Sequence, residues 1–512
     1  MITELGIFGS KFGSIKGKHS PTLKGPENRG RCRFWVLGTA IVFSSLVSIG
    51  ASAETRYELG LREAIALALS KNYSVQMDRL NPERAEQRVR RAEGAFDPSL
   101  TLAAGVDSEE VLDVEGSDLR RNASVTIEGI LPWGTQYRVD VGSDDRRDDF
   151  LDRAVGANGG STLRVTQPLL RDFGKGANYA GVRIARNGFA QSKQELRARV
   201  MGTVADTIVA YSNLHFAKES LEIALTNRDL AKQLMDDNER RLEVGSIATA
   251  DVREAESRYA QRKETVLLAE QFLREQENVM KRLISVSIEE LLDLRVDVSG
   301  LEEPGVYGFD LRNDFAESLE LRPDYQLALL GVDTDRLELD RQQRLPNLDL
   351  VGQLGYDGRG SSMGGSVSNL RDDPAKSYSF QTVFSMPLPN RTDRAQYEVS
   401  RIDLEQAEIG IEELKQSILI RLDNAARRVT LSWQRIEVTR EARELTEKSL
   451  EAEVKKFELG ASRSFFVLEQ QRDLANAQIR EKRAITDYHI YLARYELEKG
   501  SILEVYGISS YE

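Results

Sequence analysis

Between Phe96 and Pro168, apolar and polar side chains alternate with a period of two. Leu100, Leu102, Ala104 and Val106 share one face, with Ser99, Thr101, Ala103 and Asp107 on the other. Val125 and Ile127 alternate with Ser124, Thr126 and Glu128. Beyond the turn LPWGT, Tyr137, Val139 and Val141 alternate with Arg138 and Asp140, and then Leu163 and Val165 with Arg164 and Thr166. This alternation predicts strands with one apolar and one polar face. At about residue 179 the period lengthens. Leu214, Ala217, Leu221, Ala224, Ala231, Met235 and Leu242 recur at steps of three, four or seven, the seam of a coiled coil. Gly245 and Ser246 interrupt it, and helix resumes over about 248–283. A helix over 179–243 would run about 95 Å, too long for an ordinary globular core.

The plan then repeats. A break at 286–310 reads as a linker or small equatorial insert, and a helix is expected over about 311–345. Strands follow over about 347–388. There Leu348, Leu350 and Leu354, and later Tyr378, Phe380 and Phe384, alternate with polar neighbours on either side of a Gly/Ser-rich loop at 355–376. A long helix at about 391–458 and a partner reaching about 498 close the second half. RRLEVGSIATADVREAE (240–256) and KKFELGASRSFFVLEQQ (455–471) are the same helix–turn–helix unit written twice. The chain is an internal duplication: 54–285 is one repeat (strands 96–167, hairpin 179–285) and 311–500 the other (strands 347–388, hairpin 391–498). Residues 501–512 are expected to be a tail. Upstream, 58–93 is helical, with Asn81-Pro82 expected to restart the helix as an N-cap and first-turn pair.

Composition narrows the function. Residues 1–53 combine seven basic side chains, an apolar run from Phe34 to Ile49 and the small-residue site Ala51-Ser52-Ala53, the pattern of a secretory signal peptide. Cys32, the one cysteine, lies before that run and would leave with it. Removing these seven basic and two acidic residues from the 70 and 82 of the whole chain leaves a net charge of −17. Such acidity argues against nucleic acid as a partner. No later stretch is apolar enough for a spanning helix, but amphipathic strands can cross a membrane as a barrel. One cysteine and three histidines supply neither a metal cluster nor a disulfide framework. His215 and His489 lie 274 positions apart in helical stretches. No catalytic constellation emerges and no cofactor or metal is implied.

Six strands are fewer than the roughly eight of a small barrel, and open edges cannot face lipid, so copies must associate to close the sheet. In RAEGAFDPSLTL, LRVTQPLL, RLPNLDLVGQLGY, SFQTVFSMPL and both hairpins, in that order over nearly all of 58–500, the sequence resembles the TolC family of outer-membrane efflux and secretion channels. The resemblance implies an α+β membrane protein. Long helical hairpins would form a periplasmic tunnel, and strands would complete an outer-membrane barrel only in a homotrimer. The implied partners are outer-membrane lipid, a periplasmic adaptor protein and an inner-membrane transporter. SVTIEGILPWGTQYRVDVGSD departs from the common two-strand unit as an additional hairpin, raising a trimer from twelve strands to eighteen. The alternative reading is a periplasmic coiled-coil adaptor.

The resemblance also implies site residues. Gly245 and Gly460 would form the hairpin tips, with Arg241 and Lys456 (beside Arg240 and Lys455) available to dock an adaptor. The family's constricting acids correspond to Asp251 and Glu469, while another is replaced by the aromatic Phe466. Phe457 and Ser462 stand where the family has a tyrosine and an arginine, and Ala250 where it has a threonine, so the family's gate bonds do not transfer unchanged. Acids at a helix start and bases at a helix end also suit the helix dipole, and both readings stand at this point.

Overall fold

A computed structural model describes residues 55–110, 117–148, 153–289, 294–342 and 345–508; the signal-peptide expectation and Cys32 lie outside the described residues. The chain runs β1 (Thr55–Leu59), α1 (Leu61–Lys71), α2 (Tyr73–Glu93), β2 (Ser99–Glu110), β3 (Ser117–Ile130), β4 (Gln136–Asp148), β5 (Arg153–Pro168), α3 (Gly174–Asn178), α4 (Ala180–Glu243) and α5 (Thr249–Leu283). It continues β6 (Leu294–Val298), α6 (Leu311–Leu321), α7 (Pro323–Arg341), β7 (Asn347–Gly360), α8 (Met363–Asp372), β8 (Ala375–Ser385), α9 (Arg391–Glu458), α10 (Ser464–Lys499) and α11 (Ile502–Val505). Corresponding helices match in length. The hairpins are 64 and 35 residues in the first half, 68 and 36 in the second. At 1.5 Å per residue the longer arms reach about 100 Å.

Several expected boundaries move. The helix at 58–93 breaks at Asn72, not at Asn81-Pro82, and Pro82 lies inside α2. Asn72 has extended ψ of 123°, and its Oδ1 accepts from the Ser74 and Val75 amides at 2.9 and 3.3 Å. Its Nδ2 donates to the Leu283 carbonyl at 3.0 Å, so a contact 211 residues away fixes the break. The expected single helix at 311–345 divides at Arg322, because Pro323 disfavours helical geometry in the residue before it and suits the first turn after it. The segment 286–310 contains β6, paired in parallel with β1 from Thr55↔Leu294 to Leu59↔Val298. The Gly/Ser-rich 355–376 is not a plain loop: β7 extends to Gly360, and α8 follows with Ser362 as its N-cap. Residues 501–508 turn back into the core, where Ile502 and Leu503 pack with Ile65, Leu69, Val200 and Val204.

The second sheet has six antiparallel strands in the order β2-β3-β4-β5-β7-β8, so the sequence VTIEGILPWGTQYRV is a true hairpin, β3–β4. Directly opposed residues share a face. The chain of pairs Leu100↔Ile127↔Val139↔Leu163↔Leu354↔Tyr378 therefore lies on a single apolar face. The row Glu128↔Arg138↔Arg164↔Gln353↔Ser379 lies on the other. Among the described residues nothing pairs with the outer sides of β2 and β8. The hydrophobic core sits elsewhere, between the helices. One cluster joins Leu59, Tyr211, Leu214, Met280 and Val296 beside the β1–β6 pair, and another joins Leu422, Val429, Ile436, Tyr488 and Tyr495 between α9 and α10.

Candidate functional site

Both hairpins end in the same backbone device. Gly245 and Gly460 each have φ +72°, the left-handed region that glycine enters without strain. The Gly245 amide donates to the Leu242 carbonyl at 2.8 Å and the Ser246 amide to that of Arg241 at 2.9 Å; Gly460 and Ala461 repeat this with Phe457 and Lys456 at 3.1 and 2.8 Å. This is a Schellman closure, which satisfies carbonyls that a helix end leaves orphaned. A Cβ on either glycine would meet nothing within 4 Å, so the constraint is conformational alone. Gly460→Ala should cost about 1–2 kcal/mol of local stability, from left-handed strain. Hydrogen exchange of the Ala461 amide reads it directly, and unchanged protection would show that the tip adopts another turn.

Beneath the tips the two hairpins pack together. Phe457, 8% exposed, joins Ala231, Leu234, Ala255, Val467 and Leu468 in one apolar cluster. The Arg241 guanidinium lies over the Phe457 ring at 4.4 Å. Lys456 Nζ bonds Glu453 at 3.0 Å, and the Ser462 hydroxyl donates to the same carboxylate, so these two groups hold Glu453 below the usual carboxylate range. Arg241 and Lys456 are thus already engaged within the chain.

Asp251 and Glu469 are held separately, each by its own helix. Asp251 stands at the third position of α5 and accepts from the Ala248 amide at 3.3 Å, half of a capping box whose other half is missing because Ala248 has no side-chain acceptor. Glu469 is bonded by Arg472 at 3.3 Å, and Arg472 also holds Asp473 at 3.0 Å. Phe466 is 48% exposed, and its ring meets that of Phe465 edge-on at 5.3 Å. Arg258 lies 5.9 Å from the Phe465 ring centre. Burial, then Arg472 and Arg258, push the Arg262 guanidinium below its ordinary value, so three arginines from α5 and α10 lie close enough to repel one another.

Sequence reasoning missed this arginine group, because it is assembled from two helices. It also missed Val244 and Leu459, which precede the two glycines and are 78% and 85% exposed. Their signal was present: an apolar residue is repeated before glycine in LEVGS and FELGA, among charged neighbours. His215 on α4 and His489 on α10, distant in sequence, are close enough for the charge of His215 to act on His489; burial pushes both imidazoles down.

At the other end of the molecule much of the apolar sheet face is bare. Leu100, Leu102, Val106 and Phe380 are largely exposed, as are the aromatic and aliphatic side chains Trp133, Phe173 and Leu388 near the helical end. No described helix is long and apolar enough to cross a membrane. An exposed apolar sheet face of this size marks contact with lipid or protein.

The sequence pattern described as Outer membrane efflux protein matches residues 64–285 and 316–494, both halves of the duplication. The chain belongs to this family. It is similar in fold to solved outer-membrane channels. With CmeC of Campylobacter jejuni it shares 15% identity, covering 86% of each chain at a TM-score of 0.65. With VceC of Vibrio cholerae it shares 17% identity, covering 86% of this chain and 96% of that one at 0.63. With MtrE of Neisseria gonorrhoeae, in its open state, it shares 16% identity, covering 90% and 94% at 0.61. No curated protein matches by sequence. The chain is therefore a channel subunit of the outer membrane. Its sheet contributes to a barrel that one chain leaves open, and its hairpins extend the duct through the periplasm.

Proposed function

We propose that three copies close into an eighteen-strand barrel continued by a helical tunnel, a passive exit duct for an inner-membrane transporter reached through a periplasmic adaptor. The observation that carries this reading is the six-stranded sheet, apolar on one face, with both outer edges unpaired. Edges in lipid must be paired, and joining β2 of one copy to β8 of the next satisfies every backbone group. A periplasmic adaptor would have no use for an exposed apolar sheet face. The two hairpin tips supply the adaptor surface: Val244 and Leu459 offer paired apolar contacts, whereas Arg241 and Lys456 serve first to hold the tip. Asp251, Glu469 and Phe466 lie just past the turns, where threefold repetition around an axis would make rings of carboxylate and aromatic side chains. Carboxylate rings favour cations, and an aromatic ring can gate by dewetting.

Single-channel conductance in a planar bilayer tests this. Wild type should give small, cation-selective currents, and Asp251→Ala/Glu469→Ala should lower cation selectivity severalfold while raising conductance. Channels of unchanged selectivity would remove the two acids from the constriction. Well-inserted protein that never conducts, even after the tips are deleted, would sink the duct itself.

A further inference from the structure

α8 lies on the apolar face of the sheet, not on the polar one. Ser143, Gly159 and Gly358 are mutually opposed in the ladder, and Val141, two residues from Ser143, points the same way. The helix backbone rests on this row. A Cβ on Gly358 would come within 2.3 Å of the Leu370 nitrogen, one on Gly159 within 3.0 Å of the Ser366 carbonyl oxygen, and one on Gly360 within 2.4 Å of the Ser366 nitrogen. Glycine is required here so that a helix can touch a sheet backbone to backbone. The contact is pinned by Ser366, fully buried, whose hydroxyl bonds that of Ser143 at 2.8 Å, and by Asn369, whose Nδ2 donates to the Arg359 carbonyl at 2.6 Å.

On the flank of α8, Met363, Val367 and Leu370 recur at steps of four and three, one apolar stripe. With Leu102, Val125 and Val141 of the sheet they line a slot of about 580 Å³, within the ordinary range of about 300–1,000 Å³ for small-molecule sites. Ser368, Arg371 and Asp372 point elsewhere and are exposed. The slot opens onto the same face as Leu100, Leu354 and Phe380, the face that meets lipid in the barrel. The helix itself lies over β7, β5 and β4, and the slot runs from its flank across β4 and β3 to Leu102 on the face of β2.

We propose that α8 is an interfacial helix laid against the outside of the barrel, and that the slot beside it holds an acyl chain of the bilayer. The inference rests on the outer-membrane reading above. The occupant follows from continuity: the slot walls are apolar, its mouth joins the lipid-facing band, and the helix presents an apolar stripe to the membrane and polar residues to water, the arrangement of an amphipathic helix at a membrane surface.

The test labels single cysteines with bimane at Val367→Cys, Ser368→Cys and Phe380→Cys in the full assembly. The assembly is held in nanodiscs of dioleoyl phosphatidylcholine or its chain-brominated analogue. Bromolipid should quench the labels at 367 and 380 about twofold and leave 368 nearly untouched, while aqueous iodide should show the reverse order. In Val367→Cys/Gly358→Leu, where the new side chain must lift α8, quenching at 367 should fall while that at 380 in Phe380→Cys/Gly358→Leu persists. Quenching at 380 without quenching at 367 would overturn the interfacial helix and leave the channel reading intact. Quenching at neither site would overturn both. Quenching at 367 that Gly358→Leu leaves unchanged would show that the glycine track does not hold the helix, and would overturn the slot.

Discussion

Arg322→Ala should destabilise the junction between α6, α7 and the end of α10 by roughly 3 kcal/mol, the low end of the 3–5 typical of breaking a buried ion pair. The side chain is 7% exposed and holds two carboxylates: Asp324 through Nε at 2.9 Å and Nη2 at 2.7 Å, and Glu498 through Nη1 at 2.7 Å. Its Nη1 also donates to the Glu498 backbone carbonyl, near the end of α10. Removing the guanidinium leaves the two acids to share Arg421, 3.2 Å from Asp324 and 3.8 Å from Glu498. The low end applies because both carboxylates keep partial contact with water. Arg322→Lys should fall between, since it keeps the charge and loses the fork geometry.

The pH dependence fixes the interpretation. Burial pushes the Asp324 carboxyl up, but the Arg322 bond and charge, aided by Arg421, outweigh it and hold the carboxyl below its ordinary value. A depressed carboxyl contributes stability that is complete above its unfolded pKa of about 3.9 and is lost as pH falls through the folded value. The gap in apparent Tm between wild type and Arg322→Ala, at one scan rate, should therefore be full at pH 7 and narrow below about pH 4. A gap that persists unchanged to pH 3 would assign the loss to packing of the arginine stem.

Arg322 also shows where sequence reasoning stops. Its neighbour Pro323 marks the helix break locally, yet the expected helix ran through it, because the apolar positions on either side keep a helical period. The opposite error occurred upstream. Asn81-Pro82 looks like a helix start, but α2 absorbs Pro82, while Asn72 breaks the chain because it can reach Leu283. The sheet strands and both long hairpins were legible because periodicity is a local property. The five-residue strands β1 and β6 were not, since each is stabilised by the other across more than two hundred residues. The helix α8 was read as loop because its own sequence is glycine- and serine-rich; its order depends on the glycines of β5 and β7 beneath it. At the tips the turns were legible from the repeated glycines. What engages Arg241 was not, because the ring of Phe457 belongs to the other repeat.

That ring is the second sensitive point. Phe457→Ala should cost about 3–4 kcal/mol locally, within the 3–5 usual for removing a buried phenylalanine, because its loss leaves a cavity among the residues of both hairpins that pack around it. The Arg241 contact, about 0.5–1 kcal/mol at a partly exposed site, goes with it. Phe457→Leu retains most of the buried volume and should cost about 1–1.5 kcal/mol. The damage should stay at the tip, because the clusters nearer the sheet share no residue with this one. Hydrogen exchange should therefore quicken by at least tenfold around Ala231, Leu234, Val467 and Leu468, with the amides of β3, β4 and β5 unchanged; tenfold corresponds to about 1.4 kcal/mol of local opening. If the hairpins also hold the duct shut, conductance should rise in the same order, Ala above Leu above wild type. Loosened tips with unchanged conductance would separate the packing of the hairpins from the gate and leave Phe466 and the two acids as the closing elements. Loss of protection in the strands as well would show that tip and barrel unfold as one unit.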